Sequence, residues 1–290
     1  MGRRWWVVAV AVTAAAVVVS AYPRAADTTA QALHAVPGST PAETPRPAAP
    51  RAAEEPAPDL SAAVARAVEA AGDVGLGLAV VDLGTGAAAG HDADTPFHSA
   101  SLSKLLVAVD LLTSGEVPSA DLDLLARALS LSDDDAMNAL WSSHDGMGAI
   151  DRVAARAGLT STRAPEDSSQ WGDVEMSARD VAALYRYIAT DLPAADRSFV
   201  VTALSTASPT AADGFDQAYG LLSPGVDAYV KQGWMWYLPS DFYLHTSGVV
   251  ADRYAVAALS IQTDVTEQAA KDRLTAATDA LVGALTDQHS

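Results

Sequence analysis

The sequence contains no cysteine. Disulfides, thiolate metal sites and a lipid anchor on an N-terminal cysteine are therefore excluded. Positive charge is also scarce: 18 lysines and arginines stand against 36 acidic residues, for a net charge of −18. So acidic a surface repels phosphate backbones, which excludes nucleic acid as the expected partner and leaves a solvated, soluble exterior as the plain meaning of the charge. The histidines (His34, His91, His98, His144, His245 and His289) show no metal-ligand spacing, so they read as structural or surface residues and no metal or other cofactor is expected. There is no internal repeat.

Half of the 290 residues are hydrophobic, enough for one large domain or two small ones with a substantial core. The chain changes character twice. Arg3 and Arg4 precede Trp5 to Val19, an apolar run broken only by Thr13, and Val19-Ser20-Ala21 is a small-residue pattern that a signal peptidase cuts. Residues 1–21 therefore read as a signal peptide or signal anchor, the run being long for the first and short for the second. Residues 22–59 hold 8 of the 15 prolines and read as an extended, mobile spacer. The folded domain is expected over 60–290.

Within that domain Leu60, Val64 and Val68 recur at helical spacing, with Gly72 as the stop. The stretch GLGLAVVDLGTGAAAGHD, residues 75–92, predicts two strands joined at Gly84-Thr85-Gly86. A helical middle follows from about Ser101 to Thr190, then strands in DAYVKQGWMWY, DFYLHTSGVVA and RYAVAALSIQT, then a helix from Glu267 to Leu285. The fold class is α+β: an antiparallel sheet of N- and C-terminal strands, flanking helices that share one face, and an all-helical middle subdomain.

Three stretches carry polar residues that a core does not need. In HSASLSKLLVAVDLL, residues 98–112, Ser101 and Lys104 are three apart and share a helical face, whereas Ser103 points elsewhere and Ser99 can cap. SDDDAMNALW begins at Ser132, and VKQGW places Lys231, Gln232, Gly233 and Trp234 in a strand. Each has an ordinary structural explanation. Ser132 with Asp135 forms a capping box, Lys231 can snorkel to the surface, and Gly233 can mark a bulge. What singles them out is their order: Ser-x-x-Lys, Ser-Asp-Asp, Lys-Gln-Gly.

That ordered set resembles the class A β-lactamase and penicillin-binding protein superfamily, over about Leu60 to Leu285. Phe97 and Ala100 before the first motif, and Asn138 and Leu140 after the second, are similar as well. The resemblance implies a three-layer β-lactamase-like fold and an acyl-enzyme on Ser101. Lys104 would serve as base, Ser132 as proton shuttle, and Lys231 as its polariser and an attractor of a substrate carboxylate. Backbone N–H groups of Ser101 and Trp234 would form the oxyanion hole, and Asp134, Gln232, Gly233 and Trp234 would line the substrate site. Glu166 is the one well-placed acid for deacylation.

The sequence also departs from the family. Asp134 stands where the family has asparagine and would hold Lys104 protonated. Gln232 replaces a hydroxyl residue. The loop between Thr162 and Asp173 is short and lacks its partner asparagine, and the segment between Ser101 and Ser132 is about half the usual length. The expected function is an exported serine acyl-transfer hydrolase acting on β-lactams or D-alanyl peptidoglycan peptides. The alternative is a catalytically degenerate binding module on the same fold. Either would be a monomer, secreted or membrane-anchored through the N-terminal segment in a bacterial cell envelope.

Overall fold

Asp59 begins the first helix by accepting hydrogen bonds from the N–H groups of Ser61 and Ala62 at 3.0 and 3.1 Å. The computed structural model describes residues 59–237 and 240–286, so the expected signal segment and nearly all of the Pro-rich spacer lie outside the described residues. Helix α1 (Leu60–Ala71) stops at Gly72, whose φ of 68° suits glycine and little else. Strands β1 (Gly75–Asp82) and β2 (Ala88–His91) then form the expected hairpin.

The helical middle consists of α2 (Ser103–Thr113), α3 (Ser119–Ser130), α4 (Asp134–Ser143), α5 (Gly146–Ala157), α6 (Ala178–Thr190) and α7 (Ala194–Ser205). Every residue of α2 from Ser103 to Leu112 is buried, as befits a helix that is apolar nearly all round. With the short strands β3 (Pro96–His98) and β4 (Glu175–Ser177) counted in chain order, the last three strands are β5 (Ala228–Tyr237), β6 (Asp241–Val250) and β7 (Tyr254–Thr263). Helix α8 (Glu267–Thr286) ends the described chain.

The main sheet is antiparallel, in the order β2-β1-β7-β6-β5, so β1 pairs with β7 and joins the two ends of the domain. Strand alternation divides the core. Leu76, Leu78 and Val80 of β1 pack with Val64, Leu274 and Leu281 of α1 and α8, whereas Ala79 faces Leu105, Val109 and Val181 of the helical middle. This is the α+β arrangement expected, with the first and last helices covering one face together.

Two features were not expected from the pattern. Helix α7 has no clean apolar stripe, and β3 pairs with β4 in a separate small sheet, Phe97 opposite Met176. The small sheet positions the site. It fixes the chain just before Ser101 to the end of the 158–177 loop, and the N–H of Ser99 donates to the Val174 carbonyl at 2.7 Å. The start of that loop is held by Asp180, whose buried carboxylate accepts from the N–H groups of Thr160 and Ser161 and from the Thr162 hydroxyl at 2.7–3.1 Å. Replacing Asp180 by Ala leaves those donors without a partner, and urea unfolding should show a loss of about 3 kcal/mol. Asp167→Ala, in an exposed turn of the same loop, should cost less than about 1 kcal/mol.

Candidate active site

Three segments distant in sequence meet where α2, the start of α4 and β5 converge. A 3-10 turn, Ala100–Leu102, leads into α2. Ala100 has φ 47° and Ser132 has φ 54°, left-handed values that are strained for these residues. Among the described residues, those with positive φ that are neither glycine nor aspartate are Ala100, Ser132 and Ala251, and the first two belong to this site.

The three clustered serines are now distinguished. Ser99 makes no side-chain capping bond, and the Ser103 hydroxyl donates to the Ala100 carbonyl at 2.9 Å. Only Ser101 meets Lys104, whose Nζ donates to the serine Oγ at 2.6 Å. The same Nζ donates to the Ser132 carbonyl at 3.0 Å and to Asp134 Oδ1 at 2.6 Å. Helix α4 is capped by Asp133, which accepts from the Ala136 N–H at 3.0 Å and from Arg127 Nε at 2.9 Å. A capping box on Ser132 is therefore excluded, and its hydroxyl instead accepts from Lys231 Nζ at 2.6 Å. Lys231 does not snorkel: it is 1% exposed, and its Nζ also donates to the Gln232 carbonyl at 2.9 Å.

The chain has three lysines, Lys104, Lys231 and Lys271, and all are buried. Burial lowers the Lys104 pKa from its ordinary value, while the Asp134 carboxylate pulls it back up. Burial, with the Lys104 charge beside it, pushes Lys231 well below the usual lysine range. His245 helps hold the chain just before Ser101. Its Nδ1 accepts from the Ser260 N–H at 3.2 Å, so its Nε2–H donates to the His98 carbonyl at 2.8 Å, and burial lowers its pKa to about 4.

Gly233 sits in regular register opposite His245, so it marks no bulge. A Cβ there would lie 2.9 Å from the Ser99 carbonyl oxygen, and glycine lets β5 come this close to the serine-bearing turn. Trp234 is half-buried, stacks on Phe215 at 4.3 Å between ring centroids, and lines the cleft in front of Ser101.

Two expected site residues are not brought to that cleft. Gln232 points to the opposite face of β5, the side of Val230 and α8, because neighbours in a strand alternate. Its amide donates to the Gln217 and Tyr219 carbonyls at 3.1 and 2.6 Å, so it faces no substrate. Glu166 is exposed and lines a neighbouring hollow with His98, Arg163 and Tyr237. What the loop lays over Lys104 is Trp171, with Nζ 4.4 Å from the ring centroid. The Trp171 indole N–H donates to Asn138 Oδ1 at 2.8 Å. The cleft, of about 370 Å³, is lined by Ser101, Asp134, Asn138, Trp171, Asp173 and Trp234 among others. Trp171 and Asp173 were not singled out as site residues from the sequence, and a lone tryptophan in a polar loop was the only signal for the first. Among the described residues no cluster of histidine, aspartate and glutamate could hold a metal ion.

No protein-family model matches the chain. A curated Mycobacterium tuberculosis protein named "Putative lipoprotein LppW" is 32% identical over 219 residues, which span 70% of this chain and 69% of that one, and its Mycobacterium bovis counterpart matches equally. Among solved structures, the TLA-3 extended-spectrum β-lactamase superposes with a TM-score of 0.65 at 11% identity, covering 78% of this chain and 99% of that one. A β-lactamase from Chitinophaga pinensis gives 0.62 at 16% identity, covering 77% and 99%. One from Burkholderia vietnamiensis gives 0.59 at 21% identity, covering 77% and 95%. At such identities the likeness shows the fold alone. The chain thus belongs to the family of the mycobacterial LppW proteins and is built on the β-lactamase-like superfamily fold.

Proposed function

We propose that this protein is an exported serine acyl-transfer hydrolase that forms an ester on Ser101. The observation that carries the reading is the buried Lys104 amine held 2.6 Å from Ser101 Oγ, where desolvation favours its neutral, proton-accepting form. In the acylation step Ser101 Oγ bonds the carbonyl carbon and its proton passes to Lys104. The Ser132 hydroxyl, polarised by Lys231 at 2.6 Å, delivers a proton to the leaving atom. Backbone N–H groups of Ser101 and Trp234 would stabilise the developing oxyanion. β-Lactams and D-alanyl peptide ends are the ligands the family resemblance suggests. The LppW relative is named as a lipoprotein, which supports a place at the cell envelope; with no cysteine to carry a lipid here, the apolar run of residues 5–19 would be the leader or anchor.

A binding module with a residual site is the second reading. It is favoured by the turned-away Gln232 and by Trp171 packed over Lys104.

Three measurements separate the two. Intact-mass analysis after incubation with penicillin G, and separately with p-nitrophenyl acetate, should show an adduct that disappears in Ser101→Ala and persists in Ser99→Ala and Ser103→Ala. No adduct from either reagent would leave the binding module standing.

The pH profile tests Lys104. Its pKa is lowered by burial and held up by Asp134. Removing that carboxylate lowers it further, so the neutral amine appears at lower pH. Asp134→Asn should therefore raise the acylation rate severalfold near neutral pH and move its rise toward acid. An unchanged or slower rate would mean that the carboxylate serves another purpose.

Deacylation should be slow, because hydrolysis of the ester needs a water and a base beside it, and Glu166 lies outside the cleft. A chromogenic cephalosporin should give a burst of about one equivalent, then turnover on the order of 100-fold slower. Glu166→Ala should leave that slow phase unchanged. Rapid linear turnover abolished by Glu166→Ala would instead reveal a working β-lactamase.

A further inference from the structure

The charges around Ser101 bear on which acyl donors it accepts. A ligand carboxylate needs a cation or free N–H donors. Lys231, the lysine expected to attract one, is 1% exposed, and its Nζ is engaged by Ser132 Oγ and by the Gln232 carbonyl at 2.6 and 2.9 Å. The Gln232 amide is engaged by two backbone carbonyls on the far side of β5. Lys104 is 1% exposed and covered by the Trp171 ring. Arg163 faces the neighbouring hollow beside Glu166, Asp173 and Glu175.

The charged groups that do open onto the cleft are acidic. The Asp134 side chain is 58% exposed, with one oxygen on Lys104, and Asp173 lines the opposite loop wall. Asn138 and Trp171 supply neutral and aromatic surface between them, and aromatic faces also attract cations.

We propose that the Ser101 cleft selects neutral or positively charged acyl donors, esters or amides without a carboxylate near the scissile bond, and disfavours anionic ones such as free penicillins and D-alanyl ends. This inference rests on the acyl-transfer reading and narrows its substrate class. In the step, the Ser101 Oγ–carbon bond forms and the bond to the leaving oxygen or nitrogen breaks. The serine proton goes to Lys104, and the leaving atom takes one from Ser132, which is resupplied through the Lys104 and Lys231 amines.

The test uses p-nitrophenyl esters of phenylacetic acid that are unsubstituted, carry a para carboxylate, or carry a para trimethylammonium-methyl group. Adduct formation at Ser101 is timed by intact mass. The cationic ester should react fastest and the anionic slowest, about tenfold apart at low salt, and 1 M salt should compress the range. Asp173→Asn should narrow the cation-to-anion ratio. In a second pair, penicillin G methyl ester should acylate Ser101 at least as fast as penicillin G. Equal rates across the ester series, a faster anionic ester, or a faster free penicillin would overturn the inference while leaving Ser101 acylation intact. No adduct from any of the five reagents would remove the acyl-transfer reading itself, and this inference with it.

Discussion

Two buried lysines converge on one serine, and much of the local structure is explained by the need to keep them there. Lys104 donates to the Ser132 carbonyl and Lys231 to the Ser132 hydroxyl, both amines being 1% exposed. A dry interior disfavours an ammonium group, and two of them repel. One half-exposed carboxylate, Asp134, is the counter-charge in direct contact. Burial and mutual repulsion therefore disfavour charging both amines at once, which makes the arrangement poorly suited to mere packing. Apolar replacements of similar size would fill the same space without the desolvation penalty.

Holding the amines in place requires three segments to be forced close together. Ala100 and Ser132 adopt left-handed backbone that neither residue prefers, and Gly233 removes the Cβ that would strike the Ser99 carbonyl. His245 joins β6 to the His98 carbonyl, and Ser99 joins Val174, so the serine-bearing turn is pinned from two sides. The run of three aspartates divides its work. Asp133 caps α4 and pairs with Arg127, which releases Ser132 from capping and lets Asp134 face Lys104.

Much of this was legible in the sequence, because regular elements repeat their signals. Helices α1 and α8 and strands β1 and β5 to β7 follow from periodicity; Ser101 and Lys104 meet as their spacing suggests, and Ser132 and Lys231 join them as the family resemblance implies. What was missed has physical reasons. Strands β3 and β4 have three residues each and pair across more than seventy positions, too short and too distant for any local pattern. Helix α7 mixes Phe199, Val200 and Val201 on different faces, so it shows no stripe. The orientation of Gln232 was accessible: once Lys231 faces the serine, alternation sends its neighbour to the other side. The placement of Trp171 was not, because a side chain in an irregular loop is positioned by tertiary contacts, here Asn138 and Lys104.

Trp171 also connects the short loop to the chemistry it allows. A loop that brings a carboxylate and a water to an ester carbonyl must surround them with hydrogen-bond partners, and each added residue needs its own anchoring. This loop is anchored at its start by Asp180 and at its end by the β3–β4 pairing, and between them it presents an indole. An indole over Lys104 helps keep solvent off the amine, whose pKa is lowered by burial. The same ring occupies surface that a hydrolytic water would need to approach the amine. Under the proposed acyl transfer on Ser101, one contact would therefore favour forming the ester and hinder its loss.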